Sequence, residues 1–177
     1  MYKRQEYFPN LKDNDDYTSI INESHYDRLN DLLDDAIEKG ATVDEINPSN
    51  EDFSQQEFYK IPPTIITNTT DDMKIMQEEI FGPLLPVVEY EEIDEATNLI
   101  NSKDRPLGLY YFGSDKSEED NVLNKTSSGG VTVNNVISHL QQNDLSFGGV
   151  GPSGMGRYKS FEGFKNFSNR FGSQFST

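Results

Sequence analysis

The 177-residue sequence contains no cysteine, which excludes disulfides, thiolate metal sites and a cysteine nucleophile supplied by this chain. Cations are scarce: 15 Lys and Arg stand against 31 Asp and Glu, a net charge of −16. Such a surface excludes a general nucleic-acid coat and an anionic-membrane binder, since both use cationic side chains to displace counterions or meet headgroups. Long apolar runs are missing as well. No stretch approaches the roughly 20 residues that span a bilayer, and Met1 to Asn10 lacks the apolar core of a signal peptide, so a cytosolic, non-membrane protein is expected. The two histidines, His25 and His139, lie far apart with no third ligand at metal spacing, and no metal site is expected.

What remains suffices for a fold. Leu, Ile, Val and Phe make up about a quarter of the chain, above the roughly 20% below which charged chains stay disordered. The length suits one domain of ordinary size. The charge is uneven: residues 1–139 hold 29 acidic and 11 basic side chains, whereas 140–177 hold 2 and 4.

Residues 1–16, polar and with the Asp13–Asp16 cluster, read as an N-terminal arm. Apolar residues from Tyr26 to Ile37 recur at three and four positions, which predicts a helix with Asn22 or Ser24 as N-cap and Gly40 at its stop. Short strands are expected at Ala41–Ile46 and from Thr64, the latter at an edge because of Pro62 and Pro63. Asp71–Glu79 reads as a short helix, Leu84–Tyr90 as a buried strand, and Ile93, Ala96, Leu99 and Ile100 as the apolar face of a further helix. Then follow a strand at Leu107–Phe112, a helix capped by Ser114 or Ser117 and reaching Lys125, and a strand at Gly130–Asn134. This alternation is that of an α/β fold built from parallel crossover units.

Three sites suggest chemistry. Gly149-Val-Gly151-Pro-Ser-Gly154 fits a dinucleotide fingerprint, yet it follows no first strand of a crossover unit and leaves no room for the acidic residue about 20 positions on. Glu79, in Glu78-Glu79-Ile80-Phe81-Gly82-Pro83, is held beside a glycine-proline turn where one carboxylate can accept from two adjacent sugar hydroxyls; the plain alternative is a solvated acidic helix end. Ser127, Ser128 and Ser153 have no nucleophile elbow around them, which disfavours serine hydrolysis. Phe161, Phe164 and Phe167 read as a helix face packed on the core.

Four stretches, taken together and in order, resemble the aldehyde dehydrogenase family in its coniferyl, fatty or aromatic aldehyde branch. They are Met76-Gln-Glu-Glu-Ile-Phe-Gly-Pro83, Pro106-Leu-Gly-Leu-Tyr110, Ser127-Ser-Gly-Gly-Val-Thr-Val-Asn134 and Phe147-Gly-Gly-Val-Gly-Pro-Ser-Gly-Met-Gly156. The resemblance implies a doubly wound parallel sheet with flanking helices, here the C-terminal part of the catalytic domain over 17–160, with 161–177 a C-terminal helix and segment near subunit contacts. It implies that Glu79 holds the nicotinamide ribose, that Phe81 packs beside it, that Asn134 lies close to the catalytic pocket and that Phe147 lines the mouth of the substrate tunnel. The family oxidises aldehydes to acids through a cysteine thiolate, hydride transfer to NAD or NADP and a glutamate base. The cysteine, the base and the coenzyme domain would precede the matched region. The chain alone is therefore expected to be inactive and to bind no cofactor by itself, its partners being the missing N-terminal portion of the subunit and further copies in a homo-oligomer. The alternative is a non-catalytic binding or oligomerisation module that keeps the fold. Ser146 stands where the family usually has proline, and Lys159-Ser160 where His-Gly is common.

Overall fold

The three-and-four spacing after Asn22 folds into α1, Glu23–Glu38, in the computed structural model of the chain, which describes residues 9–54 and 57–169. Asn22 is the N-cap, its side chain accepting from the His25 amide at 3.0 Å, and Gly40 at φ +95° ends the helix. Leu29, Leu32 and Ala36 form the buried face. The chain divides into two compact units, Met1–Glu89 and Tyr90–Thr177. Residues 1–8 of the expected arm and 170–177 of the expected C-terminal segment lie outside the described residues.

In the first unit β1 (Thr42–Glu45), β2 (Thr64–Thr67) and β3 (Leu84–Pro86) form a sheet in the order β1-β2-β3. β1 runs antiparallel to β2, and β2 runs parallel to β3 with Thr64 opposite Leu84. β2 is thus central, not the edge strand its prolines suggested. Pro62 and Pro63 precede its first residue, so no ladder donor is lost, and the Thr64 amide donates to Pro83 O at 2.9 Å. Ile61, Ile66, Met73, Ile75 and Leu84 pack with the buried face of α1 into one core. Residues 9–16, expected as a free polar arm, are tied into this unit. Leu11 is buried, its amide donates to Glu51 at 2.6 Å, and Lys60 Nζ donates to the Asn14 carbonyl at 2.7 Å.

Two expectations in this unit fail. The apolar run 84–90 is a strand only to Pro86, and Leu85, Val87, Val88 and Tyr90 are exposed. One face of β3 is covered, so its side chains alternate, and the Val87 amide makes the last bond of the ladder, to Ile66 O at 2.8 Å. Residues 71–79 form a 3-10 turn at Lys74–Met76 in place of a helix. Here tertiary anchors win: Met73 is fully buried, Asp35 of α1 accepts from the Lys74 amide at 2.8 Å, and Lys39 pairs with Asp35 at 3.0 Å.

The Lys74 amide above all, reinforced by Lys39 and opposed by partial burial, holds the Asp35 carboxyl below its ordinary 3.8. A carboxyl depressed by folding stabilises fully above its unfolded value, and that contribution disappears as pH falls through the lower folded value. Hydrogen-exchange protection of the Lys74 amide should therefore be constant from neutral pH down to about 4 and fall below it. Loss of protection on raising the pH instead would contradict this tether.

The second unit contains α2 (Ile93–Ser102), β4 (Gly108–Tyr111), α3 (Lys116–Lys125), β5 (Gly130–Val133), α4 (Ser138–Gln141) and α5 (Ser160–Asn166). β4 and β5 pair in parallel, Gly108 opposite Gly130 and Tyr111 opposite Val133, so β4-α3-β5 is a crossover unit. Asp115, not Ser114 or Ser117, caps α3, accepting from the Ser117 and Glu118 amides at 2.8 and 3.1 Å. A carboxylate at that end also meets the positive pole of the helix. Asp94 joins α2 to α3 by accepting from Asn121 at 2.9 Å and Lys125 at 2.7 Å. The fold is α/β, with parallel strand pairs and flanking helices, its strands lying in a three-stranded and a two-stranded sheet. No described helix is long and apolar enough to cross a membrane.

Candidate functional site

The stretch Glu78–Pro83 leads into β3, and α1 fixes its backbone from two adjacent residues. The Arg28 guanidinium donates to Glu79 O at 3.2 Å and to Ile80 O at 2.5 Å, and it faces Glu78 at 3.7 Å. Leu29 lies against Gly82, where an added Cβ would stand 2.6 Å from Leu29 Cδ1. Between these anchors Phe81 adopts φ +50°, a left-handed conformation that costs a non-glycine residue about 1–3 kcal/mol and persists only where neighbours impose it.

The backbone is held while the side chains stay free. Phe81 is 84% exposed. Glu79 is exposed as well, and its carboxylate takes no hydrogen bond or ion pair from a described residue. A carboxylate with both oxygens open on a fixed backbone suits a pair of vicinal sugar hydroxyls, each donating to one oxygen. The residues present therefore fit the ribose of a nicotinamide cofactor.

Asn134 and Phe147 belong to the second unit. Asn134 follows β5 at φ +55°, a conformation asparagine tolerates. Its side-chain amide copies a ladder pair: Nδ2 donates to Gly113 O and Oδ1 accepts from the Gly113 amide, both at 2.9 Å. It thus clamps the C-terminal ends of β4 and β5, the end of a parallel sheet where ligands bind. Phe147 exchanges backbone hydrogen bonds with Tyr158 at 2.9 and 2.8 Å, and the two rings meet edge-on with centroids 5.4 Å apart. This bridge closes the base of the glycine-rich loop 148–157.

Inside that loop Gly151–Ser153 is a single 3-10 turn, so no helix N-terminus opens from the glycine pattern as a dinucleotide fingerprint requires. The loop is closed on itself instead. Ser153 Oγ accepts from the Val150 amide at 2.9 Å and donates to its carbonyl at 3.1 Å. Ser128 Oγ donates to Gly130 O at 3.0 Å, and His139 Nδ1 shares a hydrogen bond with Thr132 Oγ1 at 2.7 Å, so neither serine faces a histidine. The aromatic stripe does not pack on the core as expected: Phe161, Phe164 and Phe167 of α5 and its end are 67%, 67% and 94% exposed. Gly163 is the buried residue of α5, and the phenylalanines face outward, Phe161 and Phe164 stacked at 6.1 Å.

Arg28 was not singled out by the sequence, because it sits 51 residues from Glu79 in the chain. One signal was there: it is the single Lys or Arg of α1, among six acidic side chains.

The family profile for the aldehyde dehydrogenase family matches residues 3–170. The chain is 59% identical over 164 residues to a probable coniferyl aldehyde dehydrogenase of Caulobacter vibrioides, covering 93% of this chain and 34% of that protein. It is 51% identical over 162 residues to a coniferyl aldehyde dehydrogenase of Pseudomonas sp., covering 92% and 34%. Among solved structures, the substrate-bound state of AldH from Staphylococcus aureus superimposes with a TM-score of 0.83 at 36% identity, covering 98% of this chain and 38% of that one. The chain thus spans about a third of the length of the curated relatives it matches. On the match across nearly all its residues, the chain belongs to the aldehyde dehydrogenase family.

Proposed function

We propose that the chain supplies one wall of the active site of an NAD- or NADP-dependent aldehyde dehydrogenase that oxidises coniferyl or another aromatic aldehyde to the acid. In this reading it corresponds to the C-terminal part of the catalytic domain and works in the cytoplasm, within a homo-oligomer, together with the remainder of the subunit. The observation that carries the reading is the Glu79 carboxylate, without a partner among the described residues, on a backbone fixed by Arg28 and Leu29. The coniferyl assignment is supported by relatives at 51–59% identity.

When bound, NAD(P)+ supplies the hydride acceptor. Glu79 would hold the nicotinamide ribose by accepting from its two hydroxyls. Phe81, at φ +50° and exposed, would pack beside that ribose. In the second unit, taken by itself, Phe147 is braced by the Tyr158 ring and is read as a residue of the substrate-tunnel mouth. In the same unit Asn134 keeps the ends of β4 and β5 together. The thiolate and the general base come from the rest of the enzyme, since this chain holds no cysteine. Replacing Glu79 by glutamine in the assembled enzyme tests the reading: the amide keeps the shape but loses one acceptor and all charge, and hydride transfer should slow.

A further inference from the structure

We propose that Arg28 is a positioning residue for Glu79, a step that rests on the ribose role of Glu79 given above. Its guanidinium binds two consecutive carbonyls, Glu79 O and Ile80 O, and so fixes the peptide plane between them. The next residue, Phe81, is the left-handed one, and the one after it, Gly82, rests on Leu29. Neighbouring residues of one helix therefore bracket the strained position, with hydrogen bonds before it and close packing after it. Glu78, at 3.7 Å, keeps the guanidinium turned toward the loop. With the carbonyls of Glu79 and Ile80 and the carboxylate of Glu78 all engaged, the Glu79 carboxylate is left for a ligand. A planar fork is needed for this task, because a lysine ammonium is a point donor on a flexible stem and cannot hold two carbonyls in one plane. Sites of this kind depend on the shell that locks their backbone.

Two readouts test the proposal. In the 177-residue chain, nitrogen-15 relaxation and amide exchange at Ile80, Phe81 and Gly82 should show increased mobility in Arg28→Ala and a smaller increase in Arg28→Lys. The amides of Leu32, Ala36 and Ile66 report that the core is intact, and Arg28→Lys, which keeps charge and stem, serves if Arg28→Ala does not fold. The second readout uses the Caulobacter relative with this chain in place of its matching third. Arg28→Ala should slow hydride transfer about tenfold, an effect of misplacement by a fraction of an ångström. Combined with Glu79→Gln it should slow the step no further than Glu79→Gln alone, because Arg28 acts through that carboxylate. Slow Glu79→Gln with wild-type loop order and rate in both Arg28 variants, or a fully additive double variant, overturns the proposal alone. Glu79→Gln at the wild-type rate overturns the ribose reading and this proposal with it.

Discussion

No reduced cofactor should form when the 177-residue chain is mixed with NAD+ or NADP+ and aromatic aldehydes. The family chemistry begins with attack by a thiolate, and this chain contains no cysteine. Among the described residues, Ser128 and Ser153 are bound to their own loops and His139 to Thr132, so neither serine is paired with that histidine. Loss of a nucleophile from a catalytic set lowers turnover by about 10⁶-fold, which places the expected rate at background. The absorbance of the reduced nicotinamide checks this. Turnover that follows the chain through purification and falls on Ser128→Ala would contradict it.

The second large effect concerns the glycine-rich loop. An added Cβ at Gly149 would stand 2.2 Å from Ser153 O and 2.6 Å from the Gly154 amide nitrogen. Both are backbone atoms, so no rotamer change relieves the clash, and the Val150–Ser153 hydrogen bonds must break. Gly149→Ala should lower unfolding stability by about 1–3 kcal/mol, the range for overpacking, and should remove exchange protection from the Phe147 and Tyr158 amides. Gly156 is the control. It sits at φ +83° with nothing within 4 Å of an added Cβ, so Gly156→Ala meets backbone strain alone and should leave the Phe147–Tyr158 bridge closed. Equal effects of the two substitutions would mean that the glycines serve flexibility. The expected order means that Gly149 serves close packing, and that the pattern resembling a dinucleotide fingerprint is a packing device.

How much of this was legible in the sequence depended on whether the cause was local. α1 was legible because its period, cap and stop all lie within Asn22 to Gly40, and the β4-α3-β5 crossover because its strands and helix alternate at the usual spacing. The apolar runs misled. Leu84–Tyr90 and the Phe161, Phe164 and Phe167 stripe carry the pattern of buried elements, yet nothing in a run of residues states whether a second layer covers it. The 71–79 turn was hidden because its shape is set by Asp35 and Lys39 from another element. At the candidate site Glu79 and Phe81 were singled out from their motif, and their roles stand as proposals. Arg28, which holds them, was not, since the contact is made across 51 residues. Asn134 was expected beside the pocket, and its two hydrogen bonds to Gly113 depend on a side-chain rotamer that no spacing rule supplies.

The central claim is that Glu79 carries the cofactor ribose, and single-turnover hydride transfer tests it most directly. The enzyme is the Caulobacter relative with this chain in place of its matching third, mixed with NAD+ and coniferyl aldehyde with and without Glu79→Gln. The account predicts a burst of reduced cofactor in the first and a hydride-transfer step slowed about ten- to a hundredfold in the second, with the protein equally folded. An unchanged burst rate together with unchanged NAD+ affinity in Glu79→Gln would contradict it.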